Sequence, residues 1–226
     1  DENGRTRYTD EFTESDEGIA VTANGNVTIS VIQSERALYT DVHNNNHWAA
    51  KSVDFVGALG IMKGIGDDKF APDSHLTRAM LVTMLYRADG EPEVETVNSF
   101  GDIKENAWYE KAVLWAKENG IVNGVTETEF SPDSDITREQ IATIMHRYAM
   151  FKGDDVESEE NTNILSYNDS DSISDYAKAS LQWANGIGLI NGKTESTLNP
   201  LDNATRAEAA TIFYRFVKAN LISTQN

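Results

Sequence analysis

Apolar side chains fall at helical spacing behind three Thr-Arg pairs. They are Leu81, Met84 and Leu85 after Thr77-Arg78; Ile141, Ile144, Met145 and Tyr148 after Thr137-Arg138; and Ala209, Ile212, Phe213 and Phe216 after Thr205-Arg206. Each run predicts an amphipathic helix with the threonine as its N-cap. Three residues further on stand Met80, Gln140 and Glu208, so the second and third copies carry a Thr-x-x-Gln/Glu capping box and the first does not. The first of these helices should start less firmly.

A second set of apolar positions predicts a helix ahead of each Thr-Arg run, over roughly residues 47 to 59, 107 to 119 and 175 to 187, each about 20 Å long. Trp48/Trp108/Tyr176, Ala49/Tyr109/Ala177 and Val53/Val113/Leu181 are in register along them. Gly60, Gly120 and Gly188 follow the last periodic residue, where a left-handed C′ position favours glycine. Short apolar segments then end in a second glycine, Gly64, Gly124 or Gly192, and Phe70, Phe130 and Leu198 stand two residues before Pro72, Pro132 and Pro200. Residues 39 to 87, 99 to 148 and 167 to 216 are thus three copies of one unit, each led by an aromatic residue and an aspartate: Asp41, Asp102 and Asp169. The loop ahead of the first helix shifts by one residue in the second copy.

The pattern divides the chain into four parts. Residues 1–38 are an N-terminal linker and β-hairpin, 39–98 the first repeat and its linker, 99–166 the second and its linker, and 167–226 the third with a C-terminal tail. Residues 1 to 18 are polar and acidic without a period. From Ile19 to Ile32, two β-rich runs flank Asn24-Gly25, which predicts a hairpin. A lone hairpin is only marginally stable, so it reads as the end of a β domain upstream. The acidic linkers, with Asp89, Glu91, Glu93 and Glu95 in one and Asp154, Asp155, Glu157, Glu159 and Glu160 in the other, read as solvated connectors. A two-helix unit cannot bury its apolar face alone, so the three should pack around their Thr-Arg helices into one closed, mostly α unit.

Composition narrows the function. The 226 residues are 39% apolar and 25% charged, enough for a real core. A formal charge of −18 repels nucleic acid and anionic membrane surfaces, so an anionic ligand must be held by local cations. With no cysteine, disulfides and thiol chemistry are excluded. No run approaches a membrane span. The start at Asp1, with no signal-like segment, reads as a processed product or excised fragment.

The arginine after each threonine is the unusual choice, because a cation at the first helical position opposes the helix dipole. Two readings are open. Each arginine pairs with a carboxylate of a neighbouring repeat, or it joins the helix-start amides in an anion site. The aromatic column Trp48/Trp108/Tyr176 could stack on sugar faces, although an aromatic in helical register more often belongs to a core. Loop acids such as Asp67, Asp68, Asp73, Glu127 and Asp133 lack EF-hand order, so no metal is expected. His43, His47, His75 and His146 share no repeat column and read as surface residues. No nucleophile elbow, phosphate loop or His-Glu-x-x-His is present, and an enzyme is not expected.

The aromatic-Asp lead, the Trp-led helix, Gly-Ile-Val-Asn-Gly, Phe-Ser-Pro-Asp and Ile-Thr-Arg-Glu resemble the S-layer homology domain across residues 39 to 216. The resemblance implies three repeats in pseudo-threefold arrangement around a central three-helix bundle. It also implies a monomer that anchors a bacterial surface protein non-covalently to cell-wall polysaccharide, often through ketal-linked pyruvate held in grooves between repeats. The family's ligand-binding positions fall on Arg78, Arg138 and Arg206; on Asp41, Asp102 and Asp169; on Gly64, Gly124 and Gly192; and on Trp48 and Trp108, with Tyr176 in the tryptophan place. Met80 and Gln140 depart from the usual glutamate, and Leu201 from the loop aspartate. These departures favour Arg138, flanked by Trp108 and Gly124, as the working arginine. No cofactor is implied. The competing expectation is a protein-protein self-assembly module at the cell surface.

Overall fold

The computed structural model describes residues 39 to 156 and 163 to 222, with two short strands before them, β1 (Thr13–Ser15) and β2 (Gly18–Ala20). These strands pair antiparallel, Thr13 opposite Ala20. The turn expected at Asn24-Gly25 and the strand after it lie outside the described residues. From Tyr39 onward the order is α1 (Thr40–His43), α2 (Ala50–Ala58), α3 (Arg78–Ala88), α4 (Glu110–Glu118), α5 (Arg138–Lys152), three short 3-10 turns between Ile164 and Ala177, α6 (Lys178–Gly186) and α7 (Arg206–Ile222). The first helix of each repeat is shorter than its apolar period suggests. Trp48, Trp108 and Tyr176 sit one residue before the N-caps Ala49, Tyr109 and Ala177 rather than inside the helices.

Local chemistry sets the helix ends. Thr77, Thr137 and Thr205 each accept a hydrogen bond from the amide three residues on. Only Gln140 and Glu208 return one, to the amides of Thr137 and Thr205. Gly60, Gly120 and Gly188 take φ near +70°, at 69°, 68° and 70°, and end the preceding helices.

Helix pairing runs between repeats. α3 packs on α4, α5 on α6, and α7 back on α2. One aromatic contact recurs at each pairing: Tyr86 with Trp115 at 5.6 Å, His146 with Trp183 at 5.1 Å, and Tyr214 with Phe55 at 5.1 Å. The two-helix unit expected within each copy is therefore assembled from two copies, because each helix finds cover for its apolar stripe on the next repeat. Leu81, Leu85, Ile141 and Met145 are fully buried in the core this creates.

The segments entering the Thr-Arg helices close a ring. The amide of Leu76 donates to the carbonyl of Ala204, that of Ala204 to Ile136, and that of Ile136 to Leu76, each at 2.9 Å. Just before these residues, His75, Asp135 and Asn203 occupy one repeat column, and their side chains meet: His75 Nδ1 lies 2.7 Å from Asp135 Oδ2, and Asn203 Nδ2 donates to the same oxygen at 3.2 Å. His75 is at the surface as expected, but it belongs to a column after all.

Candidate ligand grooves between the repeats

Each Thr-Arg helix begins against the Pro-x-Ser/Asp loop of another repeat. The amides of Arg78 and Ala79 donate to Ser134 and Pro132, those of Arg138 and Glu139 to Asp202 and Pro200, and those of Arg206 and Ala207 to Ser74 and Pro72, at 2.9 to 3.0 Å. The third amide goes to the threonine. The helix-start amides expected to meet a ligand are thus already bonded, since a buried N–H requires a partner.

The arginines reach across the same junctions. Arg78 donates from Nε to the carbonyl of Phe130 (2.9 Å) and from NH2 to Asn123 (3.3 Å). Arg138 does so to Leu198 (3.1 Å) and Asn191 (2.6 Å), and Arg206 to Phe70 (2.9 Å) and Lys63 (2.8 Å). The guanidiniums of Arg78 and Arg206 lie 4.7 and 4.6 Å from the ring centres of Phe130 and Phe70. All three residues are buried, and burial lowers the pKa of each below the ordinary arginine value. The carboxylate partners foreseen in the strut reading are replaced by carbonyls. Among the described residues only Arg138 makes an ion pair, with Glu208 at 3.7 Å.

The loop carbonyls are held by the leading aspartates. Both carboxylate oxygens of Asp41 accept amides, from Phe70 (2.9 Å) and Ala71 (2.7 Å). Asp102 holds Phe130 (2.9 Å) and Ser131 (2.6 Å), and Asp169 holds Leu198 (2.9 Å) and Asn199 (2.7 Å). Ala71, Ser131 and Asn199 all have positive φ, at 57°, 59° and 54°. The aspartate makes that costly turn stable, and the turn aims the carbonyl at the arginine. Gly64, Gly124 and Gly192 form the opposite wall. A Cβ on Gly64 would meet the Tyr39 ring at 2.5 Å, and one on Gly124 the Glu129 carbonyl at 2.5 Å and the Phe100 ring at 2.7 Å.

Each site is built from all three repeats. A groove of about 250 Å³ joins Arg138 to Gly192 and Lys193, to Glu208 and Arg215 on α7, and to Trp48. Another of about 210 Å³ joins Arg206 to Lys63 and Gly64, to Met80 and Arg87 on α3, and to Trp108. The repeat profile of the S-layer homology domain matches residues 38–79, 99–142 and 166–210. The chain belongs to the S-layer homology domain family. It is similar to the exoglucanase XynX of Acetivibrio thermocellus (32% identity over 82% of this chain and 17% of that one). It is also similar to an amylopullulanase of Thermoanaerobacterium thermosulfurigenes (32% over 78% and 9%) and to the surface-layer 125 kDa protein of Lysinibacillus sphaericus (31% over 80% and 15%). The chain spans less than a fifth of the length of each.

In this S-layer homology chain the grouping of site residues differs from the sequence reading in two respects. Arg138 does not share a groove with Trp108 and Gly124. Its walls are Gly192 and Trp48, and Trp108 faces Arg206. The aromatic column is also not core: Trp48, Trp108 and Tyr176 are 64%, 60% and 55% exposed, because they precede the helices instead of lying on their buried faces. Tyr176 is tethered there by its hydroxyl to Glu139 Oε1 at 2.9 Å. A second arginine column, Arg87/Arg147/Arg215, escaped the reading although it obeys the same repeat offsets; Arg87 and Arg215 donate to the carbonyls of Ile61 (3.2 Å) and Leu189 (3.3 Å). Among the described residues no cluster of three or more metal-ligating side chains occurs, and no helix is long and apolar enough to cross a membrane.

The site sets pH limits on the fold. Burial alone pushes the Asp169 carboxyl up, but the amides of Leu198 and Asn199 and the charge of Arg138 hold it below its ordinary value. A depressed carboxyl stabilises the fold above the unfolded value, near pH 4, and that contribution is lost as pH falls through the lower folded value. Burial, and next the hydrogen bond to Glu139, push the Tyr176 hydroxyl up to about 12. Its contribution is full below the ordinary tyrosine value, about 10, and is lost as pH rises toward 12. Thermal melts across pH should therefore show Tm falling below about pH 4 and again above about pH 10. Replacing Tyr176 with Phe should flatten the alkaline limb, and an unchanged limb would show that the tether is not coupled to folding.

Proposed function

We propose that the chain is a non-catalytic anchoring module of the bacterial cell surface that binds cell-wall polysaccharide through a carboxylated sugar, such as a pyruvate ketal, in the grooves between repeats. The observation that carries this reading is the burial of three guanidiniums, two of them without an ion pair among the described residues, in a chain of net charge −18. A buried cation costs free energy unless an anion faces it, and a planar carboxylate suits the guanidinium fork. The exposed aromatic at each groove is a platform for a sugar face. In this reading Arg78, Arg138 and Arg206 carry the charge and Trp48, Trp108 and Tyr176 the stacking. Gly64, Gly124 and Gly192 keep the wall thin, and Asp41, Asp102 and Asp169 position the loop carbonyls without touching ligand.

The hydrogen-bond ring supports a pseudo-threefold arrangement about it, with α3, α5 and α7 as the central bundle of one monomer. That relatives named for an exoglucanase, an amylopullulanase and a surface-layer protein share this small segment supports a common anchoring role. Co-sedimentation with purified wall polysaccharide, run beside sedimentation velocity of the chain alone, tests the proposal. The expected result is capture by the polysaccharide and a monomeric chain in its absence. A chain that ignored the polysaccharide and associated with itself would be an assembly module instead.

A further inference from the structure

The three junctions differ where the repeats depart from one another, and the differences are charged. In the Arg138 groove, Glu208 places Oε1 3.7 Å from Arg138 and 3.5 Å from Lys193, while Lys193 also meets Asp202 at 3.3 Å. That groove already contains a carboxylate where a ligand carboxylate would sit. At the Arg78 junction, Glu139, which is 3% exposed, holds Tyr176 and Ser174 through Oε1 and Oε2 at 2.8 to 3.0 Å. The Tyr176 hydroxyl comes close enough to the Arg78 charge for the two to influence each other. That aromatic is fixed to the neighbouring repeat beside a buried negative charge.

The Arg206 groove has neither feature. The positions equivalent to Glu208 and Glu139 are Met80 and Ala79. Its lining carries Arg206, Lys63 and Arg87 and no carboxylate; Glu91, 3.9 Å from Arg87 Nε, is largely exposed and is not part of the lining. Trp108 is the platform at its mouth. Resting on the anion-binding reading above, we infer that this chain has one groove competent for a carboxylated sugar, at Arg206, and that Glu208 acts as an internal competitor in the Arg138 groove.

Two substitutions reverse the pattern without removing a structural arginine. Met80→Glu places a carboxylate in the Arg206 groove and completes the capping box with Thr77, so it should weaken binding while raising Tm. Glu208→Gln removes the competitor and keeps the box, as Gln140 does with Thr137. The experiment is calorimetric titration with a hexose bearing a 4,6-ketal-linked pyruvate. The wild-type chain is expected to bind one equivalent, Met80→Glu to bind at least tenfold more weakly with a higher Tm, and Glu208→Gln to bind two equivalents. Two or three equivalents on the wild type, or full affinity in a folded Met80→Glu chain, would overturn the inference while leaving the anion reading intact. No binding by any form would overturn both.

Discussion

Removing the third repeat, residues 163 to 226, is expected to abolish cooperative folding of the first two. The deletion takes away the Ala204 carbonyl that accepts from Leu76, the Asp202 and Pro200 carbonyls under the start of α5, and the Leu198 and Asn191 carbonyls under Arg138. It also uncovers the faces of α2 and α5 that pack on α7 and α6. An orphaned buried polar group costs about 1–3 kcal/mol, more when charged, and five such groups rival the ~5–15 kcal/mol stability of a whole domain. Circular dichroism of the truncated chain should show reduced helicity and no sharp melt. A two-repeat chain that melted cooperatively, with helicity per residue like the full chain, would show that the ring is ornamental.

Asp102→Ala is the point substitution expected to cost most. It strands the amides of Phe130 and Ser131, and Ser131 already holds φ at 59°. Hydrogen bonds to a charged acceptor contribute about 1.5–3 kcal/mol each, so the loss is about 3–6 kcal/mol. Asp102→Asn should rescue little, because one side of the amide presents N–H to an N–H. The damage should spread to the Arg78 junction, since the Phe130 peptide donates to Asp102 and accepts from Arg78. Denaturant melts of the two variants check this, and a loss below about 1 kcal/mol for Asp102→Ala would place the loop's stability elsewhere.

What could be read from the chain alone was what repeats locally. The threonine caps, the capping boxes of the second and third copies, and the C′ glycines follow from short-range rules and stand as expected. What could not be read was which copy touches which. Helical period does not say whether a stripe is covered by its own repeat or the next, so the α2–α7, α3–α4 and α5–α6 pairings and the division of each groove among three repeats were invisible. Helix boundaries decided the fate of the aromatics: a shift of three residues moves Trp48 and Trp108 from a core face to an exposed position ahead of the N-cap. The arginines were recognised as unusual, but their partners are backbone carbonyls, which no side-chain pattern displays.

The central claim is that buried arginine charge recognises a carboxylate on the wall glycan. The most direct test is a paired titration of the chain with wall polysaccharide, native and after removal of its pyruvate ketals. Loss of the partner of a desolvated charge costs about 2–5 kcal/mol, so native polysaccharide should bind at least about thirtyfold more tightly than the depyruvylated form. Equal affinity for the two preparations would contradict the account.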